Sequence, residues 1–362
     1  MAIIDKPSDY FNSAIYTGDG SQTRTISGVG FQPDLVIHKI RAGSGQGHSV
    51  FDSVRGFAGA KCLQTNTTTL EGIANGANSA EYGFVSGVNS DGYTVNDGTA
   101  VTNGGYVNAN TYTYVSWNWK AGTSFTNDAS STGIGSIDSA GSFNNDSGFS
   151  IVSYTGTGSA GTIKHGLNSV PSMIIIKVLT NTANDWCVYH QATGNNKSTF
   201  LNGTNAVSSN AFMNNTTPTS SVFSVDGSNY SSGSSRNYIA YCFAEKQGYS
   251  KFGSYVGNGN ANGTFVYTGF KPAWIVRKNT STGSRSWNIY DIKRGINPNG
   301  SPLFADTDAQ EASGDNIVDL LSNGFKQRAT GGGGNTSGDN YIYMAFAESP
   351  FVSSSGVPAT AR

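Results

Sequence analysis

Charged side chains are scarce. Asp, Glu, Lys and Arg make up 12% of the 362 residues, about half the usual globular share. The formal net charge is −1, so there is no basic field to draw in nucleic acid, and no acidic tail stands out. Cysteine is limited to Cys62, Cys187 and Cys242. An odd count at wide spacing excludes a complete disulfide framework and any CxxC metal knuckle. Cys187 and Cys242 sit inside the strand-like runs DWCVY and AYCFA, as buried free thiols do. The strongest apolar run, PSMIIIKVL, is strand-sized and far short of the ~20 residues of a membrane span, so membrane insertion is not expected. The opening MAIIDKPSDYF lacks the long apolar core of a signal peptide. The four histidines, His38, His48, His165 and His190, never pair at i, i+2 or i, i+4, and only five glutamates occur. The first fact points away from a metal centre, the second away from the paired carboxylates of glycan cleavage. Neither a nucleophile elbow nor a cofactor motif is present, and a non-enzymatic protein is expected.

Glycine, at 47 residues, and aromatics, at 12%, are abundant, with Ser, Thr and Asn filling much of the remainder. Disordered chains lack aromatics and β-branched residues. This mixture reads as an all-β protein with many tight turns.

The chain repeats itself three times. IYTGDG (15–20), SYTGTG (153–158) and SYVGNG (254–259) align. Their tyrosines, Tyr16, Tyr154 and Tyr255, are separated by 138 and 101 residues. Pro33, Pro171 and Pro272 repeat those offsets, as do Lys39, Lys177 and Lys278. HSVFDSVRG, DWCVYHQATG and SWNIYDIKRG follow in step, and TYVSWNW, NYIAYCFAE and NYIYMAFAE close each repeat. The turns SDGY (90–93) and SNGF (322–325) have no counterpart in the second repeat.

SYTGTGSAG (153–161) contains G-x-G-x-x-G at Gly156, Gly158 and Gly161. A dinucleotide loop needs a helix next, so that its N-terminus meets the pyrophosphate. TIKHGLNSVP follows instead, and the third glycine exists only in the middle repeat. The glycines are therefore expected in hairpin turns, where φ must be positive.

Each repeat spans roughly 100 residues of short strands with turn signals every 8–12 residues, the pattern of a β-sandwich or jelly roll. The fold expected is three tandem homologous domains of that kind. Residues 1–12 form an N-terminal arm, 13–121 the first repeat, 122–146 a Gly/Ser/Asn-rich linker or elaborated loop, 147–248 the second repeat, 249–351 the third, and 352–362 a C-terminal arm. SMIIIKVL reads as a central strand, and the closing aromatics as filling the inter-sheet core. GGGG (331–334) reads as a flexible tip, and DNIVDLLSNGF (315–325) as two helical turns or a strand entry.

Glu245 and Glu348 fall at the same FAE position in the second and third repeats, which suits a shared structural job better than catalysis. The histidines read as surface or satisfied strand residues. Trp186 and Trp287 are repeat-equivalent, with Tyr189 and Tyr290 three residues on. Side chains at i and i+3 of a strand point to opposite faces, so core packing leads while one of each pair is available outside. Trp186, Tyr189, Trp287 and Tyr290 are accordingly the candidate surface-binding residues.

The blocks GFQPDLVIHK, HSVFDSVRG, NSDGYTV and TYVSWNWKAG together resemble a repeat domain of tailed-bacteriophage virion proteins, tail-fibre-like or structural, common in phages of marine bacteria. SIVSYTGTG, HGLNSVPSMIIIK, YIAYCFAE, GYSKFGSYVGNG and GFKPAWIV look like later copies, so the resemblance covers almost the whole chain. It implies an exterior virion protein, made in the bacterial cytoplasm, and carries over no catalytic residue. The expected role is a tail-fibre or receptor-binding component contacting host glycan or protein, with other virion proteins as partners and a homotrimer as the assembly. The alternative is a capsid decoration or head-protrusion protein. A depolymerase and a glycan-binding lectin or adhesin rank lower, for want of an acid pair and a secretion signal.

Overall fold

The turn-bounded apolar runs form strands. A computed structural model describes residues 3–74, 77–99, 105–295, 301–311 and 318–358. The protein is all-β, and every strand pairing that builds the sheets below is antiparallel. The first repeat contributes β1 (Phe11–Thr17), β2 (Arg24–Ile26), β3 (Leu35–Ala42), β4 (Ser49–Asp52), β5 (Leu63–Gln64), the short pair β6 (Ile73–Ala74) and β7 (Ala77–Asn78), β8 (Phe84–Asn89), β9 (Gly92–Asn96) and β10 (Thr113–Trp119). Next come β11 (Thr123–Asn127) and β12 (Ser139–Asn144), and then the second repeat. That repeat holds β13 (Phe149–Thr155), β14 (Gly161–Lys164), β15 (Met173–Val178), β16 (Cys187–His190), β17 (Lys197–Phe200), β18 (Ser208–Ser209), β19 (Val222–Val225) and β20 (Asn237–Phe243). The third holds β21 (Ser250–Val256), β22 (Phe265–Tyr267), β23 (Phe270–Asn279), β24 (Asn288–Asp291), β25 (Leu303–Phe304), β26 (Val318–Leu321), β27 (Gly324–Gln327) and β28 (Asn340–Pro350).

One strand order recurs. The large sheets run β1-β10-β3-β4-β5, β13-β20-β15-β16-β17-β18 and β21-β28-β23-β24-β25. The small sheets run β2-β9-β8, β14-β19 and β22-β27-β26. The second small sheet lacks a strand because its repeat lacks the Asp/Asn-Gly turn that joins β8 to β9 and β26 to β27. Pro272 sits at a break in the β23–β28 register, where its missing N–H costs no ladder bond.

Of the two readings of residues 122–146, linker and elaborated loop, the strand pairing fits the second. β11 and β12 form a hairpin whose second strand pairs with β13, extending that sheet to eight strands. Between them lies α1 (Ala129–Thr132), with Asp128 accepting the Ser131 N–H at its N-terminus. GGGG is not a free tip. Residues 332–335 form α2 (Gly332–Asn335), and a Cβ on the buried Gly334 would come within 2.2 Å of the Arg277 guanidinium. Val318 to Leu321 of DNIVDLLSNGF are strand β26, while 315–317 lie outside the described residues.

The glycines of the repeated turn divide two jobs. Gly20, Gly158 and Gly259 have φ of 71°, 77° and 66°, as expected. The first glycine of each motif does not have positive φ; it permits close approach instead. A Cβ on Gly18, Gly156 or Gly257 would meet the carbonyl oxygen of Ala109, Gly233 or Thr336 at 2.0, 2.4 or 2.2 Å. Gly161 lies in β14, outside the turn. Each motif's tyrosine stacks on the first tyrosine of the closing strand: Tyr16 on Tyr114, Tyr154 on Tyr238, Tyr255 on Tyr341, at 5.1, 5.2 and 4.8 Å.

Both faces of each large sheet are buried at its central strands, which is why MIIIKV is buried throughout and apolar except for Lys177. One face meets the small sheet of its own repeat, giving three separate cores around Tyr93, Phe223 and Phe325. The other faces of all three large sheets converge on one further core. The closing strands serve both cores: in β20, Tyr238, Ala240 and Cys242 point into the sandwich, while Ile239, Tyr241 and Phe243 point into the shared core. Trp119 of the first repeat lies 6.4 Å from Phe243 of the second and 5.8 and 5.6 Å from Trp274 and Phe346 of the third. The repeats are therefore packed around a common centre and not strung in a line.

Candidate functional site

The four residues singled out as surface binders are all internal. Trp186 and Trp287 enter the shared core, and Tyr189 and Tyr290 enter the sandwich cores. Each Trp and its Tyr do point to opposite faces, but neither face meets water. The two tryptophans join repeats: Trp186 Nε1 donates to the Gln64 carbonyl at 2.9 Å, and Trp287 Nε1 to the Phe200 carbonyl at 2.8 Å.

The repeat-equivalent lysines do the same. Each is fully buried and spans two repeats. Lys39 Nζ donates to Gln46 O (2.5 Å) and, in the third repeat, Thr307 O (3.2 Å). Lys177 Nζ donates to Asn184 O (2.6 Å) and, in the first, Thr68 O (2.9 Å). Lys278 Nζ donates to Arg285 O and, in the second, Gly203 O (3.4 Å). Burial pulls Lys39 down to about 7, and Lys177 and Lys278 to about 8, against the upward pull of Asp308, Asp185 and Asp306. First reaches third, third reaches second and second reaches first, so the ring closes.

A second set of ties follows the same circuit. Trp117 Nε1 donates to Asp291 Oδ2 (3.0 Å), and the Tyr241 hydroxyl donates to Asp52 Oδ2 (2.7 Å). His190, which stands where the other repeats have Asp52 and Asp291, donates from Nε2 to the Tyr343 carbonyl (3.2 Å). Its Nδ1 accepts the Ala192 N–H, which fixes the tautomer. Asp52 and Asp291 are also paired with Arg55 and Arg294 at 2.5 and 2.6 Å, all four buried. Glu245 and Glu348 hold Lys251 and Lys271 at 2.6 and 2.5 Å.

None of the histidines is on the surface. Burial lowers His38 to about 3 and His165 and His190 to about 4, and it also holds His48 well below the usual imidazole range, helped by Lys39 and Arg294. His48 stands where the other repeats carry Trp186 and Trp287, and its ring nitrogens have no hydrogen-bond partner. It lines an apolar cavity of about 60 Å³ in the shared core. That is far below the ~300 Å³ at which ligand pockets begin, so it is a packing gap. His48→Trp is expected to fill it and add about 1 kcal/mol of stability, read by urea unfolding, because cavity filling commonly yields that much. A loss of stability would show that the gap cannot accept an indole.

Among the described residues, no three His, Cys, Asp or Glu side chains are grouped to hold a metal. Cys62, Cys187 and Cys242 are buried and unpaired, and burial raises their thiol pKa values. No helix among the described residues is long and apolar enough to cross a membrane.

An outward-facing concavity that combines polar and aromatic groups lies where the end of the second repeat meets the third. It is a groove of about 640 Å³ bordered by Tyr267, Glu245, Gln247, Lys251 and Phe351. Tyr267 and Phe265 project from the same side of edge strand β22, 57% and 44% exposed. Neither was singled out from the sequence. The signal was there: FVY alternates, and aligned with TIS (25–27) and TIK of β14 (162–164) it is the copy with aromatics on the outer side.

The protein is thus an all-β body of interlocked repeats, with internal polar ties between them and a groove bordered by exposed Tyr267. The chain belongs to the family described as Domain of unknown function (DUF7483), whose model matches residues 6–350. No curated protein matches it.

Proposed function

We propose that this protein is a non-enzymatic structural component on the exterior of a tailed-phage virion, a tail-fibre or receptor-binding element that contacts host surface glycan or protein. The observation that carries this reading is the closed ring of inter-repeat ties around one core. It supplies a stiff body whose turns can vary at the surface without disturbing the packing. Buried charges and hydroxyls spent on inter-repeat bonds serve rigidity, as a particle exposed outside the cell requires. On the particle the chain would bind other virion proteins and assemble as a homo-oligomer, a trimer. A second reading, capsid decoration, is favoured by the way the repeats wrap a common centre without a shaft. Immunogold labelling of intact virions separates the two. Gold at the tail tip supports the first reading, gold over the head supports the second, and unlabelled particles reject both.

A further inference from the structure

The three repeats offer the fold three opportunities to fill one surface position. Ile26, Ile163 and Val266 are equivalent by register, lying opposite Tyr93, Phe223 and Phe325. Their outward neighbours are Thr25 and Ser27 in the first repeat, Thr162 and Lys164 in the second, and Phe265 and Tyr267 in the third. In the second repeat the β11–β12 hairpin reaches this strand, with Lys164 Nζ over the Phe125 ring at 5.9 Å. In the first repeat, polar residues simply face water. The fold therefore does not need aromatics here, and exposing two rings on one edge strand works against solubility.

The groove beside Tyr267 narrows the ligand class. Glu245 and Lys251 neutralise each other across 2.6 Å, and Lys246 Nζ is turned to Ser169 Oγ at 3.3 Å. The groove thus offers donors and acceptors without a clustered charge of either sign, which disfavours phosphate-rich or polybasic ligands. Phe265 and Tyr267, two residues apart on one side of a strand, stand roughly 7 Å from each other. Gly269 borders the Tyr267 ring, a Cβ built there lying 3.8 Å from it, so position 269 places no side chain against the ring, which is 57% exposed.

We infer that this face binds a neutral glycan. Tyr267 and Phe265 stack on the C–H faces of sugar rings, and Gln247 with the Glu245–Lys251 pair bonds to the hydroxyls. The inference rests on the host-contact reading for its biological setting, and on the β22 face for its chemistry. The test uses the full chain on an array of neutral oligosaccharides: α- and β-glucans, mannans, galactans and N-acetylhexosamine oligomers. Binding to at least one class is expected. Phe265→Thr with Tyr267→Ser installs the first repeat's own residues and should fold normally, checked by an unchanged melting temperature. Each lost ring should weaken binding about tenfold, so the pair about a hundredfold. Failure to bind any class, or equal binding by the double variant, overturns the inference. Virions labelled by gold but a chain blind to glycans would reject only this inference; glycan binding by a chain absent from virions would reject only the proposed function.

Discussion

Trp119→Ala is expected to destabilise the whole protein by about 3–5 kcal/mol, the cost of emptying a large aromatic site in a packed core. Trp119 touches rings from all three repeats: Phe11 at 4.9 Å in its own, Phe243 in the second, and Trp274 and Phe346 in the third. The loss should therefore appear equally in amide exchange from β10, β20 and β28. Trp119→Phe keeps a ring there and should lose less than half as much. Destabilisation confined to the first repeat would mean that the shared core does not couple the repeats.

Acid is expected to act at least as strongly. His38, His165 and His190 are held neutral by burial, at about 3, 4 and 4, whereas an unfolded chain titrates them near 6.5. Below pH 6.5 the unfolded state takes up protons that the folded state refuses, so stability is lost as pH falls from 6.5 towards 4. At pH 5 each contributes a loss on the order of 2 kcal/mol, about 6 kcal/mol for the three, a large share of ordinary protein stability. His48 adds in the same direction. Asp34, Asp97 and Asp306, raised by burial, oppose it. Lys177 and Lys278, at about 8, are charged in both states by then and contribute little. The melting temperature should fall by about 8 °C between pH 7.5 and 5 for a chain of this length. A flat profile would mean that the imidazoles titrate freely in the folded protein.

The threefold repetition was legible because three kinds of anchor residue, Tyr, Pro and Lys, recur at one pair of offsets. The strands were legible because turn residues bracket them. What the sequence did not reveal is that each large sheet has two dry faces. Strand alternation assigns Trp186 and Tyr189 to opposite sides, but what covers each side is decided elsewhere: the small sheet of the same repeat covers Tyr189, and the other repeats, 100 or more residues away, cover Trp186. The same blind spot covers the lysines. Lys39, Lys177 and Lys278 recur plainly, yet their role depends on carbonyl groups of another repeat. Composition left residues 122–146 open between linker and loop, since Gly, Ser and Asn suit a linker as well as an edge hairpin. Phe265 and Tyr267 escaped notice because aromatics are at home in strands; only comparison with Thr25 and Ser27 marks them as unnecessary to the fold.

Sharing one core, the three repeats are expected to unfold as a single body. Differential scanning calorimetry of the intact chain tests it directly. One transition is predicted, with calorimetric and van't Hoff enthalpies equal, as a two-state unit requires. Two or three resolved transitions, each with a van't Hoff enthalpy well below the calorimetric total and matching a unit of about 100 residues, would contradict it.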